Sequence, residues 1–441
     1  MRLQENKPVN NRKILKKVTQ RNSIEMFQEA KLTWLKAALL TKKLSRVGRA
    51  LAQGQISRYP AFVEAFEQRY AALLNRQYGL TFCNGTSAIE AALFALNIGP
   101  GDQVIVPSCT FHASIDPIVN AGAEPVFADV DAATFTLDPD AVARQITDRT
   151  RAVMVVHVWG FPADMDRLQR VLRGRGIALI EDVSHAHGAS WAGRPCGSWG
   201  DLGVFSLQGS KAVAAGEGGI VVTDRRDHYL RMSAWGHFNR HGPWLTEVGL
   251  ADFSSTGIGY KRRMAPLGAL LANVDLDYLA IFNDLKQRNA DRLGATLGGI
   301  DGLAVPHLPP GAQQGGFYQG YPVQITQPGV FVPQVLTILQ GLGIEASAYP
   351  FPLHHKLPVY TNLAHRQRLL TQGSAWASTP KTFDLPVTES LQARLILLSP
   401  RYLLHLDTRQ MDRLRRGFER ALAPSSHRAE QTGRTTAAVN H

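Results

Sequence analysis

The 441-residue chain has little cysteine, only Cys83, Cys109 and Cys196. Three thiols so widely spaced cannot build a disulfide framework or a four-thiolate zinc site, and they suit a reducing compartment. The chain also lacks any apolar run of about 18 residues, which argues against a membrane-spanning helix. The apolar stretch 32–41 is broken by Lys36 and followed by Lys42 and Lys43. It suits a basic amphipathic helix better than a cleaved leader, although Ala50-Leu51-Ala52 superficially resembles a cleavage site. Acidic residues are scarce at the ends. Residues 1–50 carry 13 basic and 3 acidic side chains and residues 401–441 carry 8 and 4, which leaves 27 and 29 between them. The formal net charge of +12 therefore belongs to the termini, and the body is close to neutral. No helix-turn-helix or zinc motif accompanies the basic arm and few aromatics interleave its lysines, so nucleic-acid and membrane partners are not expected. A cytoplasmic location is.

A hydrophobic share of 44% is enough for a large core. From about Gly54 to Asp224, continuous apolar runs at 104–106, 125–128, 152–156 and 178–180 alternate with helix-period stretches at 138–146 and 165–175. Unbroken runs of this kind predict parallel strands covered on both faces, hence an open α/β sheet with its ligand site at the strands' carboxyl ends. A long polar helix is predicted over 275–293, then a Gly/Pro-rich connection at 298–316. A strand near 321–325 and helices near 333–342 and 408–422 follow. The implied division is a basic extension (1–50), a large α/β domain (51–285), a smaller α+β domain (286–425) and a disordered tail (426–441).

Three segments carry chemistry. Cys83-Asn84-Gly85-Thr86-Ser87 follows a short strand and starts a helix. Gly85 lets a ligand approach the backbone, while Thr86 and Ser87 add hydroxyls beside free helix N–H groups, a cup for one phosphate. An ordinary capped helix start fits as well. In Ile180-Glu181-Asp182-Val183-Ser184-His185-Ala186-His187, a carboxylate ends a buried strand, where it needs a cationic partner. A protonated heterocyclic nitrogen would serve, as would a structural arginine. His185 and His187 lack a third ligand at a convincing spacing, so no metal is expected. Ser206-Leu207-Gln208-Gly209-Ser210-Lys211 leaves a strand and runs toward Gly216-Glu217-Gly218-Gly219. A desolvated lysine there suits imine chemistry and Ser206 offers a second phosphate hydroxyl, against the alternative of a solvated surface lysine.

The order of these pieces is that of pyridoxal-phosphate enzymes of fold type I. The strings at 84–89, 99–108, 110–114, 129–131, 157–160, 181–186 and 205–211 resemble the DegT/DnrJ/StrS-type sugar aminotransferases, from about Gly54 to His355. The resemblance implies the fold-type-I architecture, with a mostly parallel seven-stranded-type sheet and a smaller C-terminal α+β domain. It also implies pyridoxal 5'-phosphate as cofactor and a ping-pong transfer from glutamate or glutamine to a keto-sugar, nucleotide-linked or not, or a keto-cyclitol. Lys211 would be the Schiff-base lysine and proton shuttle, and Asp182 the partner of the pyridine nitrogen. Phe111 would stack on the cofactor, His185 would lie against its ring, and Gly85, Thr86, Ser87 and Ser206 would hold its phosphate. A homodimer would complete each site with a loop that carries Lys261, with Arg262 where the family commonly has Tyr. His157 and His354 would face the substrate. Dehydration, decarboxylation or cyclisation on the same fold are the rival reactions. A nucleic-acid-binding regulator that kept this fold is a more distant rival.

Overall fold

The computed structural model describes residues 11–57, 60–238, 240–361 and 382–423, with side chains from residue 29 onward. The expected tail, 426–441, lies outside the described residues.

The apolar runs form the strands anticipated: β1 (Tyr78–Phe82), β2 (Gln103–Pro107), β3 (Glu124–Ala128), β4 (Thr150–Val156) and β5 (Ala178–Asp182). Two more follow, β6 (Leu202–Ser206) and β7 (Gly219–Thr223). They make one seven-stranded sheet in the order β1-β7-β6-β5-β4-β2-β3. The pairs β3·β2, β2·β4, β4·β5 and β5·β6 are parallel. β7 runs antiparallel to both of its neighbours. Unlike a half-solvated antiparallel sheet, this one has no polar alternation, because helices cover both faces. Val104, Val106, Phe127 and Met154 pack into one layer, and Ile105, Val126, Val153 and Val155 into the other.

The antiparallel return of β7 brings Gly219 opposite Phe82. The start of helix α3 (Gly85–Ala95), which follows β1, is thereby placed beside the loop between β6 and β7 that carries Lys211.

The long helix expected over 275–293 is two helices, α4 (Pro266–Leu276) and α5 (Leu279–Leu297). α5 crosses the anticipated boundary at 285/286. Asn283 donates to the His187 carbonyl of the large layer, and Asn289 donates to the Leu403 carbonyl of the small one. The small layer is a four-stranded antiparallel sheet, β8 (Leu303–Ala304), β9 (Tyr321–Ile325), β10 (Ala346–Ala348) and β11 (Leu395–Leu398), in the order β8-β9-β11-β10. Helices Val332–Gly341 and Thr408–Leu422 pack on it around Val323, Leu339, Ile396 and Phe418.

The basic arm is helix α1 (Asn11–Ala52), which continues past the expected boundary at residue 50. Its buried residues Leu32, Leu35 and Ala50 lie on one face at helical spacing, as an amphipathic helix requires.

Candidate active site

The site sits where the carboxyl ends of β1, β4, β5 and β6 meet. Asn84 caps α3 by accepting the Ser87 N–H at 2.7 Å. An α-helix leaves its first N–H groups without intrahelical partners, so those of Gly85 and Thr86 stand free for an anion while that of Ser87 is committed to the cap. The Ser87 hydroxyl is 3.4 Å from the Cys83 thiol. A Cβ on Gly85 would stand 3.0 Å from the Ser206 side chain. Only glycine leaves space for a ligand between α3 and Ser206.

Asp182 ends β5 and is 5% exposed. The Ser114 hydroxyl donates to its Oδ2 at 2.7 Å, and the Ser184 N–H to its Oδ1 at 3.0 Å. Each oxygen thus accepts one hydrogen bond and keeps a lone pair for a further donor. Lys211 is mostly desolvated, and burial pulls its amine down to about 7 against a counter-pull from Asp182. Its Nζ lies 3.3 Å from the centroid of the Tyr318 ring. Tyr318 in turn lies 4.3 Å from the His185 ring.

The histidines divide sharply. Burial, followed by the Lys211 charge, holds His185 well below its ordinary range and His187 down at about 3, so both rings are neutral. Tyr70 donates to His187 Nδ1 at 2.8 Å, and His187 Nε2–H donates to the Ser206 carbonyl at 2.9 Å. With both nitrogens engaged, His187 anchors the Ser206 backbone and is no metal ligand.

His157, expected on the substrate side, has no exposed surface. Its Nδ1 accepts the Ala163 N–H at 3.0 Å and its Nε2 donates to Glu181 at 3.1 Å. This corrects the expectation: the residue braces β5 from behind and cannot reach a substrate. His157, Glu181 and Cys196 also form the one cluster with metal-ligand geometry among the described residues. Glu181, however, already takes the N–H groups of Gly197, Trp199 and Gly200 besides His157, and burial pushes the Cys196 thiol well up. The cluster lacks a thiolate or a free carboxylate for an ion.

His354, expected near the mouth, is 1% exposed. Its Nδ1 donates to the Ser108 carbonyl at 3.0 Å, which leaves Nε2 a buried acceptor with no protein partner. Phe111 is 51% exposed, a bare ring at the site's edge. Lys261 lies on a loop joined to the phosphate cup, since Cys83 N–H donates to the Arg262 carbonyl at 2.6 Å. Its Nζ is 5.2 Å from the Phe238 ring. Nearby, Arg240 is paired to the buried Glu67, and His241 is bonded to Tyr229 and Ser233.

Sequence reasoning missed the strap at 315–320. Phe317 and Gln319 take left-handed φ values of 53° and 65°, rare for bulky residues. Gly320 abuts the Leu398 carbonyl so closely that no Cβ fits. Gln319 accepts the Trp159 indole N–H at 3.1 Å, Asn283 accepts the Gly316 N–H, and Lys286 donates to the Gly316 carbonyl at 2.8 Å. These contacts hold Tyr318 on Lys211. The readable signal was two aromatics bracketed by glycines.

A desolvated amine, a buried carboxyl group at a strand end, a helix-start anion cup and an exposed aromatic ring form a site fitted to pyridoxal phosphate on a fold-type-I scaffold. The description "DegT/DnrJ/EryC1/StrS aminotransferase family" fits residues 30–396, and the chain belongs to that family, as a pyridoxal-phosphate-dependent sugar aminotransferase. The match reaches back to residue 30, so the second half of the arm is family structure rather than an added extension. The chain is 34% identical over 373 residues to L-glutamine:scyllo-inosose aminotransferase of Streptomyces griseus, covering 81% of this chain and 86% of that one. It is 35% identical to a UDP-N-acetyl-3-dehydro-alpha-D-glucosamine 3-aminotransferase of Acidithiobacillus ferrooxidans, covering 66% and 75%. Among solved structures, S. venezuelae DesV superposes with a TM-score of 0.74 at 27% identity, covering 89% of this chain and 98% of that one.

Proposed function

We propose that the protein moves an amino group from glutamine or glutamate to the ketone of a polyhydroxylated ring, a keto-cyclitol or a keto-sugar. The observation that carries this reading is the desolvated Lys211 amine held near the buried Asp182 side chain. When bound, pyridoxal phosphate supplies the aldehyde that accepts an amine and the ring that spreads negative charge from the reacting carbon. The chain's residues supply the rest. Lys211, with its amine drawn to about 7, is substantially unprotonated at neutral pH and so can act as a nucleophile and then as a proton carrier at Nζ. Asp182 would hold a ring-nitrogen proton in place, while the Ser114 hydroxyl and the Ser184 N–H orient its two oxygens. Gly85 and Thr86 direct their N–H groups, and Ser206 its hydroxyl, toward the phosphate. Phe111 offers an apolar face to the ring, His185 and Tyr318 exclude water from Nζ, and His354 Nε2 presents an acceptor for a substrate hydroxyl.

We further propose a cytoplasmic location and a homodimer, the latter supported by the exposed Lys261 and the half-exposed Phe111 ring. The chain divides by function into a helical arm, a sheet domain that holds the site and a smaller C-terminal domain, with α5 bonded to both domains. Lys211→Ala tests the reading directly. The loaded protein should lose its visible absorbance and at least about a thousandfold in kcat, while its melting temperature holds. Persistence of the visible band would overturn the assignment. Following 2-oxo acid release from glutamine and glutamate against cyclitol and sugar ketones identifies the donor and the acceptor.

A further inference from the structure

The basic arm and the site meet at one carboxylate. Lys43 Nζ of α1 lies 2.6 Å from Asp275 Oδ1 of α4, with the two side chains 20% and 8% exposed. The other oxygen of Asp275 accepts the Ala214 N–H at 2.9 Å. Ala214 is three residues beyond Lys211. The far side of the same loop is closed on itself, with Lys211 N–H donating to Gln208 O, Ala215 N–H to Leu207 O and Gly209 N–H to Gly216 O. Asp275 thus adds a polar tie between the edge of the lysine loop and α4, beside the packing of Val213 and Ala215 on Ala269 and Ala272.

Burial pushes the Asp275 carboxyl up, and Lys43 and the Ala214 N–H oppose that push. A buried carboxylate stripped of its cation is costly and rearranges or neutralises. The neighbouring pair offers a built-in contrast. Lys42 reaches Asp277 at 2.5 Å, but Asp277 is also held by Arg69, and its side chain binds these two cations rather than an N–H of the lysine loop. The two adjacent lysines thus differ in what their aspartates hold, Asp275 within α4 and Asp277 just past its end.

We propose that Lys43 is a positioning residue: through Asp275 it fixes the Ala214 amide and with it the direction of Lys211. This rests on the reading of Lys211 given above. Lys42 and Lys43 of the basic arm are thus committed to this chain's own acidic residues.

The test compares Lys43→Gln, Lys42→Gln and Lys43→Arg in the full-length, cofactor-loaded protein. In K43Q, amide exchange of the peptide containing Ala214 should quicken by about tenfold or more, reflecting a lost anchoring bond. kcat should fall several-fold with KM for the donor unchanged. K42Q should leave both as in the wild type, and K43R should restore both. Should K43Q not fold, Asp275→Ser removes the acceptor at the other end of the link and should give the same exchange and kcat pattern. Equal behaviour of K43Q and K42Q, in either direction, overturns the proposal. Borohydride reduction followed by peptide mapping separates this from the broader reading. Cofactor mass on Lys211 with unaltered Ala214 exchange in K43Q sinks only the positioning role, whereas absence of that mass from Lys211 sinks the functional assignment itself.

Discussion

Glu181 and Asp182 are neighbours on β5, both carboxylates and both buried, and they do opposite things. Adjacent residues of a strand face opposite sides of the sheet. Glu181 faces the back, where burial would raise its carboxyl, but the His157 ring and the Gly197 and Gly200 amides hold it below the ordinary range. Together with the Trp199 N–H, four donors fill its two oxygens. Asp182 faces the site and receives two. The lesson is that the count of committed lone pairs, rather than burial, separates a structural carboxylate from a working one.

The comparison can be broken at either residue. The largest effect expected is from Asp182→Asn. The amide cannot hold a charge on a ring nitrogen, so kcat should fall by about a hundredfold to a thousandfold, roughly 3–4 kcal/mol of barrier. The melting temperature should stay nearly constant, and a matched fall in both would contradict the division of roles. Glu181→Gln should do the reverse. It sets an NH2 group against backbone N–H donors and should cost about 2–4 kcal/mol of stability in denaturant titration, with kcat of the folded fraction changed less than threefold.

The smallest effect sharpens the same contrast on the histidine side. His187 is held at about 3 against an ordinary 6.5 by burial and the Lys211 charge. Its folded-state pKa is depressed, so between those values the unfolded chain binds the proton and the folded chain does not. Stability should therefore be full above about pH 6.5 and decline as pH falls toward about 3. His187→Asn should flatten that slope in urea titrations at pH 7, 6 and 5, and an unchanged slope would remove His187 as its source.

Much of this was legible in the chain. Continuous apolar runs gave β2 to β5, because a strand covered on both faces cannot carry polar alternation. Asp182 ends a strand, and the cup at Gly85 and the Lys211 loop follow strands, the positions where an open α/β sheet places its ligands. What could not be read was contact between segments distant in sequence. Nothing local says that His157 turns to Glu181 rather than to substrate, since a histidine after a buried strand reads the same in both roles. The strap at 315–320 looked like a linker because its order comes from Asn283 and Lys286 on α5. The break between α4 and α5 carries no proline or glycine, so helical periodicity passed straight through it. The arm looked like a separate extension because its cationic stripe resembles any solvated face until Asp275 and Asp277 are placed beneath it.

The pairing of β1 with β7 has a consequence for how the protein is made. Tyr78 finds its partner at Thr223, so β1 leaves the ribosome long before the strand that completes it exists. At about 5–20 residues per second, its hydrogen-bonding edge waits for several seconds to half a minute. The phosphate cup is therefore among the last features to be secured during synthesis, after β2 to β6 have had time to associate. A nascent chain arrested before Thr223 would present an open strand edge with nothing beside it, and protection of that edge by a chaperone or by α3 folded over it would govern yield more than the strength of the finished core.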